Sequence, residues 1–203
     1  IEAVASDFTL GAVKTGMLAT APIVEAVART ILSLRLGPLV VDPVMVATSG
    51  DPLLAPGAVD AYRRDLFPLA DLITPNTHEA AALVGYEIRT LDDARRAARD
   101  LRQFGARAVL VKGGHLDGET EAVDVLVDAE GERLYRAERI ETTSTHGTGC
   151  TLASAIAAYL ARGETLREAV EKAKAYLTEA IRHAPGLGGG NGPVRHLWRL
   201  ADS

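Results

Sequence analysis

Short apolar runs that stop at a charged, amide or glycine residue, each followed by a segment of helical period, constrain this chain more than any other feature. Leu39-Val40-Val41 ends at Asp42, Leu72-Ile73-Thr74 ends at Pro75-Asn76, and Ala108 to Lys112 ends at Gly113-Gly114. Runs this short, partly β-branched and apolar without alternation, read as strands buried on both faces of a parallel sheet. Between them lie helical segments. From Pro22, residues Ile23, Val24, Val27, Ile31 and Leu34 keep a helical period until Gly37-Pro38 stops it. Further helices are expected near Ala58 to Leu66, over about Thr77 to Val84, from Leu91 to Phe104, and from near Gly149 to Leu160. Thr90 with Asp93, and Thr165 with Glu168, form capping pairs, and Gly105 suits a helix C-terminus. The last helix carries Leu166, Val170, Ala173, Leu177 and Ile181 on one face and stops at Pro185. Val123 to Val127 and Leu134 to Ala137 flank Asp128-Ala129-Glu130-Gly131, a connection too short for a helical crossover, and predict an antiparallel hairpin. The expected fold is therefore α/β, with a mainly parallel central sheet, helices on both faces and a C-terminal antiparallel hairpin. Neither a domain boundary nor an internal repeat interrupts the 203 residues.

Composition removes several classes of function. A chain that is 47% hydrophobic and 24% charged buries a real core. Its longest nearly apolar stretch, Leu152 to Ala161, cannot span a bilayer. A net charge of −5 without a Lys/Arg run lacks the electrostatic footprint of a sequence-independent nucleic-acid binder. Cys150 is the only cysteine, so no internal disulfide forms, and the residues from Ile1 onward show no secretory signal pattern. The expectation is a cytoplasmic protein whose partners are small molecules, with neither nucleic acid nor membrane among them.

Ligands of parallel sheets sit beyond the carboxyl ends of the strands. That rule selects Lys14, Asp42, Thr74 to Asn76 and Lys112, all placed where an apolar strand gives way to a loop. Two cations, an acid and an amide at one sheet edge suit a magnesium nucleotide better than an apolar ligand. The 22 basic residues include only four lysines, Lys14, Lys112, Lys172 and Lys174. In so arginine-rich a chain, a retained lysine marks a place where a compact ammonium is wanted, or else chance usage; both readings stay open.

The most specific local feature is Thr145-His146-Gly147-Thr148-Gly149-Cys150-Thr151, followed at once by an apolar helix. Its glycines permit a tight turn, and the amides of residues 147 to 150 can converge on an anion at the positive end of the helix. Such a nest would stabilise a phosphoryl group in flight. At the first turn Cys150 is placed as a group that could accept the proton of an attacking hydroxyl, or position that hydroxyl. The plain alternatives are a glycine cap and a small buried hydrophobe. A dinucleotide-binding fingerprint fails because Leu152 stands at the third glycine position.

Five ordered segments, Val13 to Leu18 (VKTGML), Asp42 to Gly50 (DPVMVATSG), Thr74 to Glu79 (TPNTHE), Val111 to Leu116 (VKGGHL) and Thr145 to Leu152 (THGTGCTL), resemble the hydroxymethylpyrimidine/phosphomethylpyrimidine kinases of thiamine biosynthesis, a family of the ribokinase-like fold. The match runs from about Ala12 to Gly192-Pro193-Val194. The resemblance implies two ATP-dependent transfers, first onto 4-amino-5-hydroxymethyl-2-methylpyrimidine and then onto its monophosphate, with Mg2+ as cofactor and a homodimer as assembly. It implies that Cys150 is the catalytic base and that Gly147, Thr148 and Gly149 form the anion hole. Asn76, Lys112 and Lys174 would bind the nucleotide, Glu79 and Asp42 the metal, and Met17 and Val44 would border the pyrimidine. For Glu79 a helix N-terminal carboxylate, and for Lys174 a solvated face beside Glu171, are the structural alternatives.

The family pattern begins with a strand, an Ala-Gly-Ser-Asp segment and a Gln-containing lid, whereas this sequence opens with Ile1-Glu2-Ala3. Residues 1 to 203 are thus expected to form a single ribokinase-like domain without that substrate-binding segment. Two alternatives follow: a pyridoxal or pyridoxine kinase of the same fold, and a nucleotide-binding fragment without turnover.

Overall fold

A computed structural model describes residues 1–45 and 53–200. The expected loop through Ser49-Gly50-Asp51 lies outside the described residues. Among the described residues six strands form one sheet in the order β1 to β6: β1 (Val13–Thr15), β2 (Leu39–Val41), β3 (Leu72–Ile73), β4 (Val109–Gly113), β5 (Ala122–Asp128) and β6 (Gly131–Ala137). The first four run parallel, and β5 and β6 are antiparallel. The hairpin register pairs Asp128 with Gly131, so only Ala129 and Glu130 make the turn and β6 starts three residues before the apolar run at Leu134. Gly131, at φ 109°, accepts a backbone that a side chain resists.

Strand alternation explains the two layers of core. Leu39, Val41, Ile73, Val109, Val111, Val125 and Val127 point to one face and meet α2 (Ala21–Leu34), α4 (Thr77–Val84) and α5 (Leu91–Arg102). Val40, Leu72, Leu110 and Leu126 point to the other and meet α6 (Thr148–Ala161) and α7 (Leu166–Arg182). A strand covered on both faces has no polar side to show, which is why its sequence is continuously apolar.

Differences from expectation are local. A four-residue helix, α1 (Glu2–Ala5), has no buried residue and no periodic signal. The helix expected from Ala58 to Leu66 is instead a short α3 (Ala58–Ala61) that widens into a π turn at Tyr62–Leu66 and tightens into a 3-10 turn at Phe67–Leu69. Pro68 supplies no amide hydrogen to continue a helix, and burial of Tyr62, Leu66 and Phe67 holds the irregular path. Helix α5 ends at Arg102, two residues before Phe104, while both predicted capping boxes on α5 and α7 are present.

Candidate active site

The hydrogen-bond ladder continues past the strand ends and brings the selected residues into one row. The Asp42 amide donates to the Thr15 carbonyl at 3.0 Å, the Thr74 amide to Val41 at 3.0 Å, and the Lys112 amide to Pro75 at 2.9 Å. Asp42 is the hub, only 1% exposed. Its Oδ1 accepts from Lys112 Nζ at 2.8 Å and from Thr74 Oγ1 at 3.1 Å. Its Oδ2 is buried without a hydrogen-bond partner among the described residues, with Lys14 Nζ 3.8 Å away. A carboxylate so enclosed needs cations, and two lysines, one on β1 and one on β4, provide them.

Glu79 closes the same cluster. Asn76 Oδ1 accepts from the Glu79 amide at 2.8 Å, and Glu79 Oε2 accepts from the Asn76 amide at 2.7 Å, a reciprocal capping box on α4. The structural alternative for Glu79 is thereby realised, and the carboxylate also stands 4.0 Å from Lys112 Nζ. Burial pushes the Glu79 carboxyl above its ordinary range; Lys112 and the amides of Asn76 and Met45 pull against that, and Asp42 adds to it. Among the described residues no group of three His, Cys, Asp or Glu side chains is placed to hold a metal ion. Asp42 and Glu79 thus offer two hard oxygen ligands at most, as suits a magnesium ion that takes its other ligands from phosphates and water.

Gly147 is the N-cap of helix α6, and its φ of 79° turns the chain into the helix. A Cβ at Gly149 would lie 3.0 Å from Lys112 Nζ, so the missing side chain is what lets the ammonium approach the first turn. Thr148 and Gly149 face a cavity of about 520 Å³ that Asn76, Lys112, Asp124 and Lys174 also line. Gly147 and Cys150 face another, of about 640 Å³, with His146 and Tyr176. The motif read from sequence as one nest therefore presents two sides, because successive residues in a helix point about 100° apart. Cys150 is exposed there.

Lys174 is not on a solvated face beside Glu171. It is buried, donates to Asp124 Oδ2 at 2.7 Å, and lines the cavity that Lys112 lines; Glu171 pairs with Arg133 instead. Asp124 was not selected from sequence, although an acid inside the apolar run Val123 to Val127 was the available signal. Its Oδ1 accepts from the Gly113 amide at 3.1 Å. Tyr62 was missed too: its buried hydroxyl donates to the Gly16 carbonyl at 3.0 Å and accepts from the Leu18 amide at 3.1 Å. Burial pushes that phenol up to about 12, keeping it a neutral donor. Between the two tethered residues Met17 is 48% exposed, and Val44 is half-buried, its amide bonded to Asp42.

A parallel sheet with two lysines sharing a buried carboxylate at its carboxyl edge, and a glycine-started helix facing the same cavity, defines an α/β enzyme built to handle phosphate. The profile of phosphomethylpyrimidine kinase matches residues 1–195, and the chain belongs to that family, with its ribokinase-like fold and phosphotransferase class. The chain is 48% identical over 202 residues to the thiamine biosynthesis bifunctional protein of Geobacter sulfurreducens; all of the chain is matched, but only 41% of that protein. It is 49% identical to the hydroxymethylpyrimidine/phosphomethylpyrimidine kinase of Mycobacterium tuberculosis, matching 99% of this chain and 74% of the relative. A Bacillus subtilis pyridoxal kinase solved as an ADP complex superimposes with a TM-score of 0.89 at 40% identity, covering 97% of this chain and 74% of that one. No helix among the described residues is long and apolar enough to cross a membrane.

Proposed function

We propose that this protein phosphorylates 4-amino-5-hydroxymethyl-2-methylpyrimidine and then its monophosphate, with ATP as donor. The observation that carries the reading is Lys112: its ammonium is held by Asp42 above the first turn of α6, where a phosphoryl group meets both a fixed cation and free helix amides. ATP would occupy the cavity lined by Asn76, Lys112, Gly149 and Lys174, its phosphates toward Lys112. Asp42 Oδ2 and Glu79 fit a Mg2+ ion, which when bound would offset charge on the phosphates. The Gly149 amide donates a backbone hydrogen bond to the group in transfer, with the Thr148 amide, bonded to the Thr145 carbonyl at 3.4 Å, turning to join it. Cys150 takes the proton of the attacking hydroxyl, and the Gly16 to Leu18 segment, fixed by Tyr62, sets Met17 against the pyrimidine together with Val44.

The match to a pyridoxal kinase favours one second reading, pyridoxal as acceptor. ADP release measured with MgATP and each acceptor, alone and in competition, decides between them. Turnover with the pyrimidine supports the reading; turnover with pyridoxal alone transfers it to the vitamin B6 branch; ATP binding without turnover on either acceptor overturns both. The expected assembly is a homodimer, checked by light scattering on the eluting protein.

A further inference from the structure

Of the four lysines, three are committed to short ion pairs. Lys112 lies 2.8 Å from Asp42, Lys174 2.7 Å from Asp124, and Lys172 bonds Glu164 on the surface. Among the described residues Lys14 is the exception, its ammonium 3.8 Å from its paired carboxylate oxygen, Asp42 Oδ2, and its side chain 18% exposed. It sits on β1, across Asp42 from Lys112 and β4, and does not line the nucleotide-side cavity. One residue separates it from the Gly16 to Leu18 segment that Tyr62 holds. A Cβ at Gly16 would lie 3.0 Å from Lys14 Nζ, so this glycine leaves room for the ammonium to stand over the start of the acceptor segment.

We infer that Lys14 is the cation that receives the phosphate of the phosphorylated acceptor, and so governs the second transfer more than the first. The inference rests on the pyrimidine kinase reading above. In the first transfer a neutral hydroxyl oxygen attacks the γ-phosphorus, a P–O bond forms, the bridging bond to ADP breaks, and the hydroxyl proton leaves to a base. In the second transfer a phosphate oxygen of the monophosphate attacks, a P–O–P link forms and ADP again departs with the bonding pair. A phosphate monoester carries about −1.5 to −2 charges near neutrality, so the second step presses like charges together and the first does not. Lys112 already neutralises Asp42 and faces the donor, and the α6 amides serve the group in flight. Among the described residues, Lys14 is the ammonium left on the acceptor side whose donors are not taken up by a short pair.

The test is kcat/KM for each of the two acceptors in the wild type, Lys14→Met and Lys14→Arg. Affinity for both acceptors is measured in parallel by titration calorimetry without ATP. A lost hydrogen-bonded charge corresponds to about 10- to 100-fold. Lys14→Met is expected to lower kcat/KM and affinity for the monophosphate by that factor beyond any loss with the hydroxymethyl compound, and Lys14→Arg is expected to restore most of it. An equal loss on both acceptors, or an unchanged ratio between them, overturns the inference while leaving the kinase reading intact. A wild type inactive on both pyrimidines overturns the kinase reading itself and this inference with it. Lys14→Gln replaces Lys14→Met if the methionine variant is insoluble.

Discussion

Asp124→Asn should be among the most damaging isosteric changes in this protein, because it leaves the Lys174 ammonium buried without a counter-charge. Lys174 and Asp124 are 8% and 6% exposed, and their contact is 2.7 Å. Breaking one partner of a buried pair costs about 3–5 kcal/mol, far more than the net worth of the pair. The lower end applies, since Lys174 borders the 520 Å³ cavity, from which water can reach it. For a chain of this length about 3 kcal/mol corresponds to a melting temperature lowered by roughly 6–12 °C. The carboxamide oxygen introduced by the substitution can still accept from the Gly113 amide, so the loss isolates charge from backbone bonding. Lys174→Met alone should cost a comparable amount, leaving Asp124 charged beside an apolar stem. The double variant should lose less than the two singles added, with a coupling energy of about 2 kcal/mol. Urea unfolding of the four proteins closes the cycle. Additive losses, or a melting shift under about 2 °C in Asp124→Asn, would refute the argument by showing that Lys174 is effectively hydrated.

Gly113→Ala places a Cβ 2.3 Å from the Val123 carbonyl and 2.6 Å from Leu116, and should cost about 3 kcal/mol. Gly114→Ala meets nothing within 4 Å among the described residues and should stay within about 0.5 kcal/mol of wild type in the same melts. Burial raises the Glu79 carboxyl above its ordinary 4.5, so the folded state resists ionisation that the unfolded chain accepts. Stability should therefore be lost as pH rises from 4.5 through the raised value, and the urea midpoint of Glu79→Gln should gain on wild type across that window; the opposite trend would refute the assignment of burial as the dominant cause. Cys150→Ala should lower kcat and kcat/KM on the hydroxymethyl acceptor together, by about 100-fold or more, with nucleotide affinity unchanged; wild-type turnover would remove Cys150 from the chemistry.

Neighbours along the chain decide the features that could be read without coordinates. Short, partly β-branched apolar runs bounded by turn residues read as strands covered on both faces, so the parallel sheet was legible. Capping boxes at Thr90 and Thr165 need only residues three apart, so those helix starts were legible as well. Strand ends place ligands, and Lys14, Asp42, Asn76 and Lys112 could be picked before any contact was known. Tertiary structure decided what depends on residues far apart in the chain. That Lys112 pairs with Asp42 across seventy positions, that Lys174 turns inward to Asp124 rather than outward to Glu171, and that Tyr62 reaches back to Gly16 all follow from packing. Gly113 and Gly114 are indistinguishable as letters, and the approach of β5 and of the Leu116 side chain separates them. Local energies of a few tenths of a kcal/mol bias the backbone, but burial of a charge costs several, so the partner of each buried ion is settled by the assembled core.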